Sequence, residues 1–145
     1  MNNYLWKLSH RLYNFCGGGG LRPLARVIEV GYNIICGNSI STQADIGDGT
    51  VFYHHGVGCI VHEKCVIGKN CKIFGNVTIG CKWSNFDKPG LPPKVGNNVL
   101  IGAGAVILGN IYIGNNSIIG ANAVVLVDVP DNTTVAGVPA HFIDI

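Results

Sequence analysis

The sequence predicts an all-β fold, a parallel β-helix built from six-residue repeats, preceded by two short helices and broken by one protruding loop. Three observations carry this prediction. An aliphatic residue recurs every six positions from Val61 through Ile67, Ile73 and Ile79, and the same phase returns at Val95, Ile101, Ile107, Ile113, Ile119 and Val125. A second inward position falls two residues before each, as at Cys59, Cys65, Cys71, Val77, Val99, Ala105, Ser117 and Ala123, and glycine follows the aliphatic in Ile67-Gly68, Ile79-Gly80, Ile101-Gly102, Ile113-Gly114 and Ile119-Gly120. A period of six is neither the 3.6 of a helix nor the 2 of a simple hairpin strand, whereas three short strands per turn, six residues each, produce it.

Composition agrees with a small solenoid. A chain of 145 residues fits one domain, and 21 glycines with only 12% charged residues argue against a helical bundle. We divide it into a helical cap at residues 1–37, the coil at 38–130 with a loop at 81–93, and an irregular closing segment at 131–145. A net charge of +2 without a basic cluster points away from nucleic acid. Of the six cysteines, Cys59, Cys65 and Cys71 hold inward positions, where a free thiol packs as a small hydrophobe, so a reduced, cytoplasmic protein is expected. No Cys-x-x-Cys pair or helix-type histidine pair is present, and no metal site is expected.

In chain order, MNNYLWKLSHRLYNF places Tyr4, Leu5, Leu8 and Leu12 at helical spacing and reads as a short amphipathic helix rather than a signal peptide. Residues 16–20 form a glycine break. Leu21 to Cys36 reads as a second helix, with Pro23 in its first turn and Gly37 ending it. It is expected to cap the open end of the coil, with a membrane-surface role as the lesser alternative. The six-phase begins at Ile40, Ile46 and Phe52, then resumes at Val61 rather than at position 58, so three extra residues fall in the segment holding His54 and His55. A second interruption, CKWSNFDKPGLPP at residues 81–93, is rich in Pro and Gly and should leave the scaffold. Gly102, Ala103 and Gly104 stand eighteen residues, one full coil, before Gly120, Ala121 and Asn122. They should therefore stack about one strand spacing (~4.8 Å) apart, as a ledge without side chains along which a long ligand can lie.

These residues resemble the hexapeptide-repeat acyltransferases with a left-handed β-helix, in particular their serine acetyltransferase-like branch. The resemblance covers about residues 40–140. It rests on HHGVGCIVH, on NVTIG at 76–80, on PKVGNNVLIGAGAVILGNI at 93–111, on IGANAVVLVDVP at 119–130 and on AGVPA at 136–140. It implies transfer of an acetyl group from acetyl-CoA to a hydroxyl, a homotrimer with sites between subunits, and a histidine as general base. A near-neutral imidazole suits that task, because an alcohol attacks a thioester poorly unless its proton is accepted as the bond forms. Counting forward from Ile46 the family's base falls on His54, and counting back from Val61 it falls on His55, since the segment is one residue longer than in the serine enzymes. The resemblance puts acetyl-CoA on the ledge of Gly102, Ala103, Gly104, Gly120 and Ala121, with Lys82 and Lys94 toward its phosphates. Tyr53, Asn76, Trp83 and Asn85 are expected around the acceptor. Ser39-Ile40-Ser41 and Leu91-Pro92 replace the residues that hold serine in the family, so a saccharide hydroxyl is expected first, with serine as the alternative acceptor and a non-catalytic scaffold as the rival of another class.

Overall fold

The structure is a computed structural model describing residues 22–85 and 88–144. The first expected helix, Leu21 and the loop tip at Phe86 and Asp87 lie outside the described residues. One helix, α1, spans Arg22–Cys36. Pro23 is tolerated because the first-turn N–H groups have no intrahelical partner. Gly37, at φ +60°, ends the helix. Its N–H donates to Ile34 O at 3.4 Å and the Asn38 N–H donates to Asn33 O at 3.0 Å, the paired bonds of a Schellman motif.

All seventeen described strands are two or three residues long, and they form one hairpin and the three faces of a triangular prism, each face a parallel sheet except for one antiparallel closing strand on the third. The first face runs through Ser39–Ile40, Ile60–Val61, Thr78–Gly80, Val106–Leu108 and Val124–Val125. The second runs through Asp45–Ile46, Val66–Ile67, Lys94–Val95 and Tyr112–Ile113, and the third from Val51–Phe52 through Lys72–Ile73, Leu100–Ile101 and Ile118–Ile119. Uninterrupted coils pair residues eighteen apart, as Val61 with Ile79 and Ile101 with Ile119. Across the histidine insertion the offset is three longer, Ile40 pairing with Val61, and across the loop Ile67 pairs with Val95. Both insertions are thus expelled at an edge without disturbing the register of the faces.

Inside, the aliphatic positions stack in columns. Ile67, Ile73, Ile79, Ile101, Ile107, Ile113, Ile119 and Val125 are almost fully buried, while Ile46, with no coil stacked below it, is half-buried. Burying one such side chain contributes about 1.5–3 kcal/mol. Thr50 and Ser117 take the second inward position because their hydroxyls find partners: Thr50 Oγ1 donates to Gly68 O at 2.7 Å, and Ser117 Oγ lies 2.8 Å from Gly114 O.

One expectation is corrected. The closing segment is not irregular: Thr134–Ala136 adds to the third face parallel to Ile118–Ile119, burying Val135 over Ile119, and His141–Ile143 then folds back antiparallel to it. Ile119 and Val135 are sixteen residues apart, so a search at the period of six passes over this strand. The helix caps the coil with its polar side. Glu29, 6% exposed, accepts from the Thr42 hydroxyl at 2.9 Å and, at a longer 3.4 Å, from the Thr42 N–H. The apolar side of α1 faces outward, with Val27, Ile34 and Ile35 exposed.

Candidate active site

The three edges of the prism differ in chemistry. Between the second and third faces, asparagines stack: Asn98 Nδ2 donates to Asn116 Oδ1 at 3.1 Å and Asn116 Nδ2 to Asn132 Oδ1 at 3.0 Å. Beside them Asn97, Asn115 and Asp131 form a second ladder. These side chains satisfy one another and close that edge. Between the first and second faces the loop departs, as a hairpin of Trp83–Asn85 against Lys88–Pro89. The edge between the third and first faces carries the histidine insertion.

His54 and His55 have φ/ψ of 53°/39° and 60°/15°, and Gly56 follows at φ +68°. Three successive residues thus make one left-handed turn, closed by the Val57 N–H donating to His54 O at 3.2 Å. The left-handed conformation costs an L-residue other than glycine roughly 1–2 kcal/mol. Gly56 is required here for space as well, since a Cβ would lie 2.9 Å from Ile40 Cδ1. Neighbouring groups hold the turn: Cys59 N–H donates to Gly56 O at 2.9 Å, Asn76 N–H to Val57 O at 2.8 Å, and Gly58 N–H to Gly37 O at 2.8 Å. His55 O accepts from Asn38 Nδ2 at 3.0 Å and, more loosely, from Tyr32 Oη at 3.3 Å. Both imidazoles project from this turn exposed. Backbone strain retained in this way is a common mark of a functional site.

On the same edge Tyr53 stacks on Phe74 of the next coil, ring centroids 4.8 Å apart and nearly parallel. Asn76 sits one coil from the histidine turn, and residues 102–105 and 120–123 continue upward, linked by Gly104 N–H to Gly75 O at 3.0 Å and Asn122 N–H to Ala103 O at 2.9 Å. Ala103 and Ala121 are exposed, and a Cβ on Gly102 would approach Ala121 N to 2.5 Å. The structure therefore brings His54, His55, Tyr53, Asn76 and the glycine–alanine ledge onto one edge, with no large side chain on the ledge itself.

It does not bring Lys82, Trp83, Asn85 or Lys94 there. Lys82 lies beside Gly109 on the loop edge, Trp83 and Asn85 are in the hairpin, and Lys94 is exposed on the second face. Next to the hairpin is a cavity of about 550 Å³, roofed by α1 and floored by the outer side of the first face; Arg26, Glu29, His62, Glu63, Cys81 and Trp83 are among its lining residues. Arg26 is 3.6 Å from Glu29 in an ion pair. The sequence reading passed over this juxtaposition and over Asn38 and Tyr32. Gly37-Asn38 carried a visible helix-stop signal, but nothing local says which carbonyl the Asn38 amide meets seventeen residues on.

The inward cysteines are interior groups. Burial raises the thiol pKa of Cys59 and Cys71, and pushes that of Cys65 up to about 12. Each thiol donates to a carbonyl at 3.2–3.4 Å, Cys59 to Phe74 O, Cys65 to Ile79 O and Cys71 to Gly96 O. A protonated, enclosed thiol is a poor nucleophile.

The bacterial transferase hexapeptide (six repeats) family matches residues 92–126. A serine acetyltransferase of Staphylococcus epidermidis is 44% identical over 136 residues, which is 94% of this chain and 61% of that protein. Among solved structures, soybean serine acetyltransferase complexed with serine is similar with a TM-score of 0.82 at 40% identity, covering 96% of this chain and 54% of that one. A serine acetyltransferase in complex with CoA gives a TM-score of 0.79 at 37% identity over 96% of this chain and 54% of its own. The chain thus spans little more than half the length of these proteins. The likeness carries the left-handed coil that the resemblance implies.

Proposed function

From the premise that the chain belongs to the hexapeptide-repeat transferases, as a homologue of serine acetyltransferases, we propose that it is an acetyl-CoA-dependent O-acetyltransferase whose acceptor is serine or a close hydroxy amino acid. The observation that carries this reading is the single edge on which a strained histidine turn and an unobstructed backbone ledge succeed one another. In the reaction, one imidazole of the His54/His55 pair takes the proton of the acceptor hydroxyl as its oxygen bonds to the thioester carbon. The carbonyl oxygen becomes an oxyanion, the C–S bond then breaks, and the imidazolium returns the proton to the departing CoA sulfur. Holding both substrates in one site replaces a covalent enzyme intermediate, and a backbone N–H is the natural donor to the oxyanion.

The saccharide acceptor expected from the sequence is the less supported of the two. It rested on Ser39-Ile40-Ser41 and Leu91-Pro92 standing where the family holds serine, but the cavity on the loop edge offers both signs of charge for an amino acid, in Arg26 and in Glu29 and Glu63. We further propose a homotrimer in which the loop edge of one protomer stands against the histidine edge of the next. That assembly would reunite Lys82, Trp83 and Asn85 with the histidines, which one protomer keeps apart. The test is thiol release from acetyl-CoA with L-serine against a panel of saccharides. A kcat/KM for serine at least ~10-fold higher is expected, roughly the 1.4 kcal/mol that one well-placed polar contact decides. Preference for a saccharide returns the acceptor to the sugar class, and no turnover with any acceptor favours the scaffold. Light scattering that finds a monomer removes the shared site.

A further inference from the structure

We propose that the C-terminal cap of α1 is a positioning device for the catalytic histidine, with Asn38 as its principal residue and Tyr32 as its second. The inference rests on the reading above that the histidine pair supplies the base. A left-handed turn that runs through two histidines is not a conformation these residues choose by themselves. Something outside the turn must hold it, and the holding groups come largely from one place. Asn38 Nδ2 and Tyr32 Oη both donate to His55 O, at 3.0 and 3.3 Å, and the carbonyl of Gly37, adjacent to Asn38, accepts the Gly58 N–H at 2.8 Å. The end of the helix thus grips the insertion on both sides of the glycine at position 56.

The grip is itself rigid. Gly37 and Asn38 are fixed by the two Schellman bonds to Ile34 O and Asn33 O, and Tyr32 is buried at 6% exposure. Burial also holds the Tyr32 phenol protonated well above the ordinary tyrosine range, so it remains a donor. Asn38 Oδ1 is enclosed with no hydrogen-bond partner among the described residues. Turning the amide over would set that oxygen against His55 O, so the donor orientation is the one the geometry favours. The carbonyl of His55 is one bond from the Cα that carries its imidazole and one residue from the His54 Cα. Displacing it rotates the plane of the peptide on which the base is mounted, and an error of about 1 Å in a catalytic group can cost ~10²-fold in rate.

Asn38→Asp keeps the side-chain shape and removes the donor, and Tyr32→Phe removes only the hydroxyl. With acetyl-CoA and the acceptor giving the fastest turnover, we expect kcat to fall about tenfold in Asn38→Asp and about 100-fold in the double variant. KM for acetyl-CoA should stay within about twofold, because the ledge is untouched. In protein labelled with carbon-13 histidine, the Cα shifts of His54 and His55, which report the left-handed backbone, should move in the same variants. A double variant with wild-type kcat overturns the proposal, as does a fall in kcat with both histidine Cα shifts unchanged. If the double variant does not fold, Asn38→Asp alone decides by the same two readings. His54→Ala and His55→Ala are measured in parallel. If both stay active the base assignment fails, whereas one inactive histidine variant beside an active double variant removes only the present inference.

Discussion

Replacing either histidine by glycine should make the protein more stable and the enzyme slower, and comparison with alanine separates the two causes. At φ values of 53° and 60° His54 and His55 each carry the left-handed penalty of roughly 1–2 kcal/mol. Glycine removes it but adds roughly 0.5–1 kcal/mol of unfolded-state entropy, leaving a net gain of about 0.5–1 kcal/mol per position. Both side chains are exposed and the bonds that fix the turn come from the backbone, so little else is lost. For a chain of this size the gain corresponds to about 1–4 °C in Tm. Alanine keeps a Cβ and with it the strain. His54→Gly and His55→Gly should therefore exceed their alanine counterparts by about 1 kcal/mol in urea denaturation. At the position of the base, kcat should drop by ~10²-fold or more in both variants. Glycine variants no more stable than the alanine ones would refute the view that this turn is held against its own preference.

Three further outcomes follow from the same geometry. Ala103→Phe or Ala121→Phe, at exposed positions on the ledge, should weaken CoA binding by at least about tenfold in calorimetry with the melting temperature nearly unchanged; equal affinity would remove the ledge as the CoA surface. Because burial raises Cys65 from 9.0 to about 12, the unfolded chain gives up that proton first as pH rises. Its contribution to stability is therefore full below about pH 9 and declines from there toward 12, so urea midpoints should fall above pH 9 and fall less in Cys65→Ala. Glu29→Ala strips Thr42 of its buried carboxylate partner and should cost about 1–3 kcal/mol in the same measurement, with a change under ~0.5 kcal/mol arguing that the helix is not anchored there.

The coil was legible because its signal is local and repeated. An isoleucine at 73 or 107 is inward for the same reason in each coil, and every such position from Val61 to Val125 is buried. The insertion at His54 and His55 was legible as a break in that phase. What escaped the reading depends on partners distant in sequence. Val135 belongs to the third face but sits two residues short of a full coil from Ile119, so its place is decided by the closing turn and not by the period. The polar anchoring of α1 has a similar cause. Helical spacing identifies an apolar stripe, but Glu29 is drawn inward by Thr42, and Val27, Ile34 and Ile35 are left on the outside. Trp83 and Asn85 were expected near the histidines as a flat ring and a neutral polar group for the acceptor, and a single protomer separates them by the width of the first face.

The location of the site follows from what each part of a β-helix has left to offer a ligand. On the faces, backbone N–H and C=O groups are committed to the coils above and below, so only outward side chains of two-residue strands remain. At the edges the chain turns, and there the residue choice decides whether the backbone is covered. Asn98, Asn116 and Asn132 cover one edge with amides that bond to each other. On the edge with the histidines the corresponding run is Asn76, Gly104 and Asn122, where glycine stands once in place of asparagine and alanine precedes it at 103 and 121. The Asn122 amide oxygen turns into the space that a Cβ on Gly104 would fill, so the glycine leaves the backbone bare where the other edge is covered. One glycine in a column otherwise held by asparagine thus opens the surface on which the acyl donor is proposed to lie.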